Sequence, residues 1–198
     1  MRVTIFDYGA GNLHSLMKAL EGPGRDVRVQ VDPATAADTD LLVLPGVGAF
    51  EAATQRLAPG ITVMRERLAS GLPCLGICLG MQLLFERSEE GPGEGLGVIP
   101  GRVRRMNAAR LPQIGWNEIT DATDPVFDES GLSSVYYANS YVCEPRDPSC
   151  VVAWTTHEGD RFPAAVRSGN ILGVQFHPEK SSGAGIAMLH AYLGQVQR

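Results

Sequence analysis

Cys74-Leu75-Gly76-Ile77-Cys78-Leu79-Gly80-Met81-Gln82 is the stretch whose reading decides the fold. Cys74 to Ile77 is short and apolar and reads as a buried strand, and the residues from Leu79 to about Arg87 read as a helix. Cys78 sits between them on a sharp turn, and Gly76 and Gly80 leave room for it. A thiol held there faces the unpaired N–H groups and the positive end of a helix, which favour the thiolate. The N–H of Leu79 is a natural donor to an oxyanion. The alternative is a small cysteine packed behind a helix; the flanking glycines and the strand-to-helix context favour the nucleophile.

Outward from this junction, short apolar runs alternate with amphipathic segments, which predicts an α/β fold. Strands are expected over Val3–Asp7, Val27–Val31 and Leu41–Leu44, with helices over Asn12–Glu21, Ala49–Leu57 and Thr62–Ser70. Gly91 to Gly97 is glycine-rich and reads as a loop. Beyond it come strand-like pieces at Gly101–Met106, Val135–Cys143, Cys150–Thr155 and Ala164–Arg167, without helices, before a last helix over about Gly183–Val196. The expectation is a flavodoxin-like open mixed sheet with helices on both faces, a nucleophile elbow, and an antiparallel extension in the C-terminal half. With no repeat or composition break, residues 1–198 are expected to form one domain.

Apolar residues at 44% and charged residues at 20% exclude a disordered or fibrous class. The net charge of −5 is spread along the chain without a basic run, so nucleic acid is not an expected partner. Apolar stretches are too short to span a bilayer, and the N-terminus reads as a strand rather than a signal peptide. Cys74, Cys78, Cys143 and Cys150 are therefore expected to stay reduced in a cytoplasmic protein. Their spacing lacks the Cys/His repeat of a zinc site, and no metal or cofactor is expected.

Two further segments carry chemistry. In Phe176-His177-Pro178-Glu179, an extended path puts positions i and i+2 on one side, so that Glu179 can hold the tautomer of His177. Pro178 stiffens that path and argues against a helix there. Leu44-Pro45-Gly46-Val47-Gly48 is a strand end followed by a two-glycine loop able to aim a backbone N–H at a developing oxyanion, and it lacks the lysine of a phosphate loop. A thiol, an imidazole and a carboxylate together point to acyl transfer.

On these segments the sequence resembles the class I (triad-type) glutamine amidotransferases. Asp7-Tyr8-Gly9-Ala10-Gly11-Asn12-Leu13-His14-Ser15, Pro112-Gln113-Ile114-Gly115-Trp116-Asn117 and Lys180-Ser181 narrow the likeness to the glutaminase subunits of imidazole glycerol phosphate synthase in histidine biosynthesis. The resemblance implies that Cys78 attacks the carboxamide of glutamine, with His177 as general base and acid and Glu179 orienting it. It implies oxyanion donors at Val47, Gly48 and Leu79, and substrate contacts from Gly48, Gln82, Glu90 and the backbone of Ser140 and Tyr141. It further implies a heterodimer with a (β/α)8 barrel cyclase that receives the ammonia, contacted through Trp116, Asn117, Tyr136 and Lys180. Where many members read His-Ser-Tyr, this chain has Asn139-Ser140-Tyr141, so Asn139 receives no role.

Three other readings compete. The first is a glutaminase of anthranilate, aminodeoxychorismate or pyridoxal phosphate synthesis, against which the N-terminal motif and the Gly-Trp-Asn segment, read as a turn, speak. The second is a catalytically silent scaffold on the same fold, disfavoured by the intact Cys78, His177 and Glu179. The third is a general cysteine hydrolase, which glutamine-blocked labelling would separate.

Overall fold

A computed structural model describes residues 1–9, 11 and 13–197. In chain order the elements are β1 (Arg2–Phe6), α1 (His14–Leu20), β2 (Asp26–Gln30), α2 (Pro33–Ala36), β3 (Leu41–Leu44), α3 (Phe50–Leu57), α4 (Ile61–Ala69), β4 (Cys74–Ile77) and α5 (Leu79–Gln82). Then follow β5 (Arg87–Ser88), β6 (Gly101–Arg105), β7 (Gln113–Glu118), α6 (Pro125–Ser130), β8 (Ser134–Asn139), β9 (Tyr141–Pro145), β10 (Val151–His157), β11 (Asp160–Ser168), β12 (Ile171–Val174) and α7 (Ser182–Val196). Ala10 and Asn12, the latter the expected start of the first helix, lie outside the described residues.

The main sheet has seven strands in the order β10-β11-β12-β4-β3-β1-β2. From β2 through β12 every neighbouring pair is parallel, and β11 and β10 add antiparallel strands at one end. Alternation along each strand sends side chains to opposite faces. Val3, Ile5, Leu41, Val43, Leu75 and Ile77 pack in one core with α1, α6 and α7. Phe6, Leu42, Leu44 and Cys74 face a second core built with α2, α3, α4 and α5. The sheet is thus open and mixed, with helices on both faces, as the sequence predicts.

The elbow rests on a seat of two glycines. Gly76 and Gly173 are paired in register on adjacent strands. A Cβ on Gly76 would stand 2.7 Å from the Gly80 carbonyl oxygen, and one on Gly173 would stand 2.8 Å from the Met81 side chain. Only a side chain without a Cβ lets α5 lie so close to the strands.

Several expectations are corrected. The helix after Cys78 does not run to Arg87; α5 ends at Gln82. The carbonyls of Leu83, Leu84 and Phe85 instead accept from Leu96, Ile99 and Gly97, so the returning glycine-rich loop takes the bonds a longer helix would need. Val135–Cys143 is not one strand: β8 pairs with β7, β9 pairs with β6, and Ser140 is the handover between two small sheets. The Gly-Trp-Asn segment is not a turn but the middle of β7. The C-terminal half holds a helix, α6, started by Pro125 and capped by the Asp124 side chain. It also holds β12, whose four residues are all buried and show no alternation to mark them as a strand.

Candidate active site

Three neighbouring strands, β12, β4 and β3, deliver the pieces of the site at their carboxyl ends. β4 ends in Cys78, which adopts φ 50° and ψ −106°, a left-handed conformation that non-glycine residues rarely hold. The Cys78 N–H donates to the Val174 carbonyl at 2.7 Å, tying the turn to β12. Leu79 is the first residue of α5, so its N–H has no partner within the helix.

The loop after β3 runs alongside. A Cβ on Gly46 would fall 2.8 Å from Cε1 of His177 and 3.2 Å from Cβ of Cys78, so this peptide lies directly against the imidazole and the thiol. Val47 is 45% exposed and Gly48 adopts φ 138°. The loop is held from behind by Tyr8, a buried residue of the N-terminal motif, whose hydroxyl donates to the Pro45 carbonyl.

β12 leads into His177, which is 2% exposed. Nδ1 of His177 lies 2.8 Å from Oε1 of Glu179. The path between them is not extended: residues Pro178–Lys180 form a single 3-10 turn with proline in its first position, where its missing N–H costs nothing. Glu179 therefore reaches back from the turn to His177 rather than lying beside it on a strand. Burial alone pushes the imidazole toward its neutral form, but hydrogen bonds to Cys78 and Glu179, with their charges, outweigh it and raise its pKa to about 9.

A cleft of about 320 Å³ opens over these residues, a volume of the size that takes small metabolites. It is lined by Gly46, Val47, Gly48, Cys78, Leu79, Gln82, Glu90, Ser140, Tyr141 and His177, and also by Pro112, Ala138, Asn139 and Lys180. Every residue expected in catalysis, oxyanion stabilisation or substrate contact thus borders one cleft except Glu179, which reaches it only through its contact with His177. Oε2 of Glu90 accepts from the N–H of Phe50 at 2.9 Å, which fixes the carboxylate at the start of α3. Nε2 of Gln82 donates to the Tyr141 carbonyl at 3.1 Å.

The four residues expected at a partner surface divide. Trp116 and Tyr136 are directly paired across the β7–β8 ribbon, with rings edge to face at 6.4 Å, and the ammonium of Lys180 stands 5.9 Å from the Tyr136 ring. Trp116 is 55% exposed and Ile114, on the same ribbon face, is 67% exposed. Asn117 lies on the opposite face, where its amide donates to the Thr156 carbonyl. The ribbon is also wired to the site: His177 N–H donates to the Tyr136 carbonyl, and Ser181 Oγ accepts from the Tyr136 N–H while donating to the His177 carbonyl.

Sequence reasoning missed Gln175, Tyr8 and Ser181. Gln175 had a visible signal, a single amide inside the apolar run Ile171 to Phe176. Tyr8 and Ser181 stand out in the sequence only as parts of motifs, because the Pro45 and Tyr136 groups they bind are distant in sequence.

The family profile "Glutamine amidotransferase class-I" matches residues 4–192. The chain is 47% identical over 196 residues to the imidazole glycerol phosphate synthase subunit HisH of Symbiobacterium thermophilum, an alignment covering 95% of this chain and 91% of that one. It is 43% identical over 208 residues to the subunit of the same name from a Synechococcus species, covering 100% of this chain and 95% of the relative. Among solved structures, a glutamine amidotransferase superposes with a TM-score of 0.74 at 20% identity over 99% of each chain. PurLQS from Thermotoga maritima superposes at 0.70 and 19%, covering 100% of this chain and 99% of that one. These two likenesses concern the fold. With a family profile spanning nearly all of it and full-length relatives above 40% identity, the chain belongs to the class-I glutamine amidotransferases and, within them, to the HisH subunits of imidazole glycerol phosphate synthase.

Proposed function

We propose that the chain hydrolyses glutamine to glutamate and ammonia, as the glutaminase subunit of imidazole glycerol phosphate synthase in histidine biosynthesis, with Cys78 as nucleophile. The observation that carries this reading is the meeting of the elbow thiol, the Gly46–Gly48 loop and His177 at one cleft, with Glu179 bound to the imidazole. Sγ of Cys78 adds to the carboxamide carbon, and the oxygen takes negative charge. N–H groups of Leu79 and of the Val47–Gly48 loop stabilise that charge. His177, charged as imidazolium, gives a proton to the departing nitrogen; the C–N bond breaks and ammonia leaves a thioester. Water, deprotonated by the now neutral imidazole, attacks the thioester, and glutamate leaves as Sγ is restored. Glu179 keeps the ring oriented and supports its charged form. Gln82, Glu90 and the backbone at Ser140 and Tyr141 hold the amino-acid end of the substrate.

Ammonia released into water is protonated and lost, so the reading includes a partner: a (β/α)8 barrel cyclase forming a heterodimer. Trp116, Tyr136 and Lys180 are its proposed contacts, an aromatic pair and a cation on one exposed patch. Asn117, turned to the other face of the ribbon, supports that patch from below. Four free cysteines support a reducing, cytoplasmic setting; among the described residues no helix is long and apolar enough to cross a membrane.

The test is glutamine hydrolysis by the purified chain, alone and with the cyclase and its ribotide substrate. Stimulation by the cyclase that vanishes in Cys78→Ala supports both nucleophile and partner. Undiminished hydrolysis in Cys78→Ala overturns the mechanism, and a cyclase that neither binds nor stimulates overturns the partner.

A further inference from the structure

Gln175 lies two residues before His177 and is completely buried between Val174 and Phe176. Its Nε2 stands 3.4 Å from Sγ of Cys78. Nothing about a buried strand end calls for an amide, and an unpaired one would be unfavourable there. Both of its polar atoms are engaged: the nitrogen at the sulfur, and Oε1 with Nε2 of Gln82 at 3.3 Å.

The orientation of that amide follows from a backbone atom. The carbonyl of Tyr141 can only accept, and it takes Nε2 of Gln82 at 3.1 Å and Nδ2 of Asn139 at 3.0 Å. The Gln82 atom facing it must therefore be nitrogen. The same nitrogen faces the Gln175 amide, so the Gln175 atom meeting it must be oxygen. The remaining end of Gln175, pointing at Cys78, is then the NH2 group. The handover between β8 and β9 thus dictates, through two side-chain amides, that a donor rather than an acceptor confronts the sulfur.

We infer that Gln175 is a catalytic residue, donating a hydrogen bond to the Cys78 thiolate and holding it for attack. The inference rests on the reading of Cys78 as nucleophile and assigns a further residue to the same site. A donor to an anionic sulfur has two effects: it favours the charged form and fixes one direction of its lone pairs. Because the amide is already anchored by Gln82, this donor is in place before substrate arrives.

Gln175→Met keeps the length and approximate volume of the side chain without the donor. Hydrolysis of glutamine by the full chain with its cyclase is then expected to lose about tenfold in kcat, the effect of one hydrogen bond to a charged group, with KM within about twofold. Alkylation of Cys78 by iodoacetamide at neutral pH, read on the peptide by mass spectrometry, is expected to slow by a similar factor. Gln175→Glu keeps the shape but puts a like charge beside the thiolate, and its loss is expected to exceed that of Gln175→Met. A packing role alone leaves the isosteric Glu variant nearer to native than Met. That order, or kcat and alkylation within about twofold of native in both variants, overturns the inference. It would leave the Cys78 reading intact, which falls only if Cys78→Ala stays active.

Discussion

Gly46→Ala tests how tightly the loop after β3 is built against Cys78 and His177, the pair proposed for catalysis. The added Cβ would lie 2.8 Å from Cε1 of His177, 3.1 Å from the Ile77 carbonyl oxygen and 3.2 Å from Cβ of Cys78. Carbon atoms rest about 3.5 Å apart or more, so the imidazole or the loop must retreat by about 0.7 Å. The backbone at Gly46 is not left-handed, so the penalty is steric alone. The ring cannot retreat freely, because Glu179 holds its Nδ1 at 2.8 Å. Overpacking of this kind costs about 1–3 kcal/mol, offset by about 0.4–1 kcal/mol from a stiffer unfolded chain. A net loss of about 1–2 kcal/mol lowers the melting temperature by about 2–8 °C in a chain of this size. The activity should suffer more: a shift approaching 1 Å at the reacting atoms costs about 30- to 100-fold in kcat. The assay is glutamate release at saturating glutamine alongside thermal denaturation. Gly194→Ala serves as control, since nothing lies within 4 Å of its Cβ and it sits in α7; it should leave kcat unchanged and gain about 0.5–1 kcal/mol. A Gly46→Ala enzyme within threefold of native kcat would refute the reasoning.

The raised pKa of His177 makes a second prediction, on stability. Its folded value, about 9, lies above the ordinary 6.5, so the stabilisation is complete below pH 6.5 and is lost as the pH rises through about 9. The shift corresponds to about 3 kcal/mol, so urea denaturation should show the native chain losing stability over that range faster than His177→Gln; parallel curves would contradict it. Trp116→Ala removes an exposed side chain, so the melting temperature should move by no more than about 1 °C, whereas binding to the cyclase should weaken by about 2 kcal/mol in a titration. Unchanged affinity would remove Trp116 from the interface.

The core of the fold was legible because its signals are local. Val3 to Phe6, Leu41 to Leu44 and Cys74 to Ile77 are mainly apolar runs followed within three residues by glycine or proline, and each proved to be a parallel strand. What escaped was set by distant partners. The stretch from Leu83 to Phe85 has the composition of a helix, yet its carbonyls are claimed by residues 96 to 99. The chain from Val135 to Cys143 is continuously strand-like, and only its two different neighbours reveal the break at Ser140. At the site, the grouping of Cys78, His177 and Glu179 was legible from residue type and spacing. The short turn joining the last two did not, because proline at a first helical position looks the same in sequence as proline in an extended path. Gln175 escaped for another reason: its importance lies in which end of its amide points where, and the Tyr141 carbonyl decides that.

The position of β4 in the sheet also governs when the site comes into being. Its neighbours are β3, just upstream, and β12, whose end brings Gln175 to Cys78 across 97 residues of chain. During synthesis the elbow cysteine leaves the ribosome well before the strand that leads into Gln175 and His177. Until β12 docks beside β4, the thiol has neither beside it, and that pairing must close one of the longest loops in the molecule. On the proposed mechanism the nascent chain therefore carries a dormant nucleophile, and glutaminase chemistry switches on only as the fold is completed.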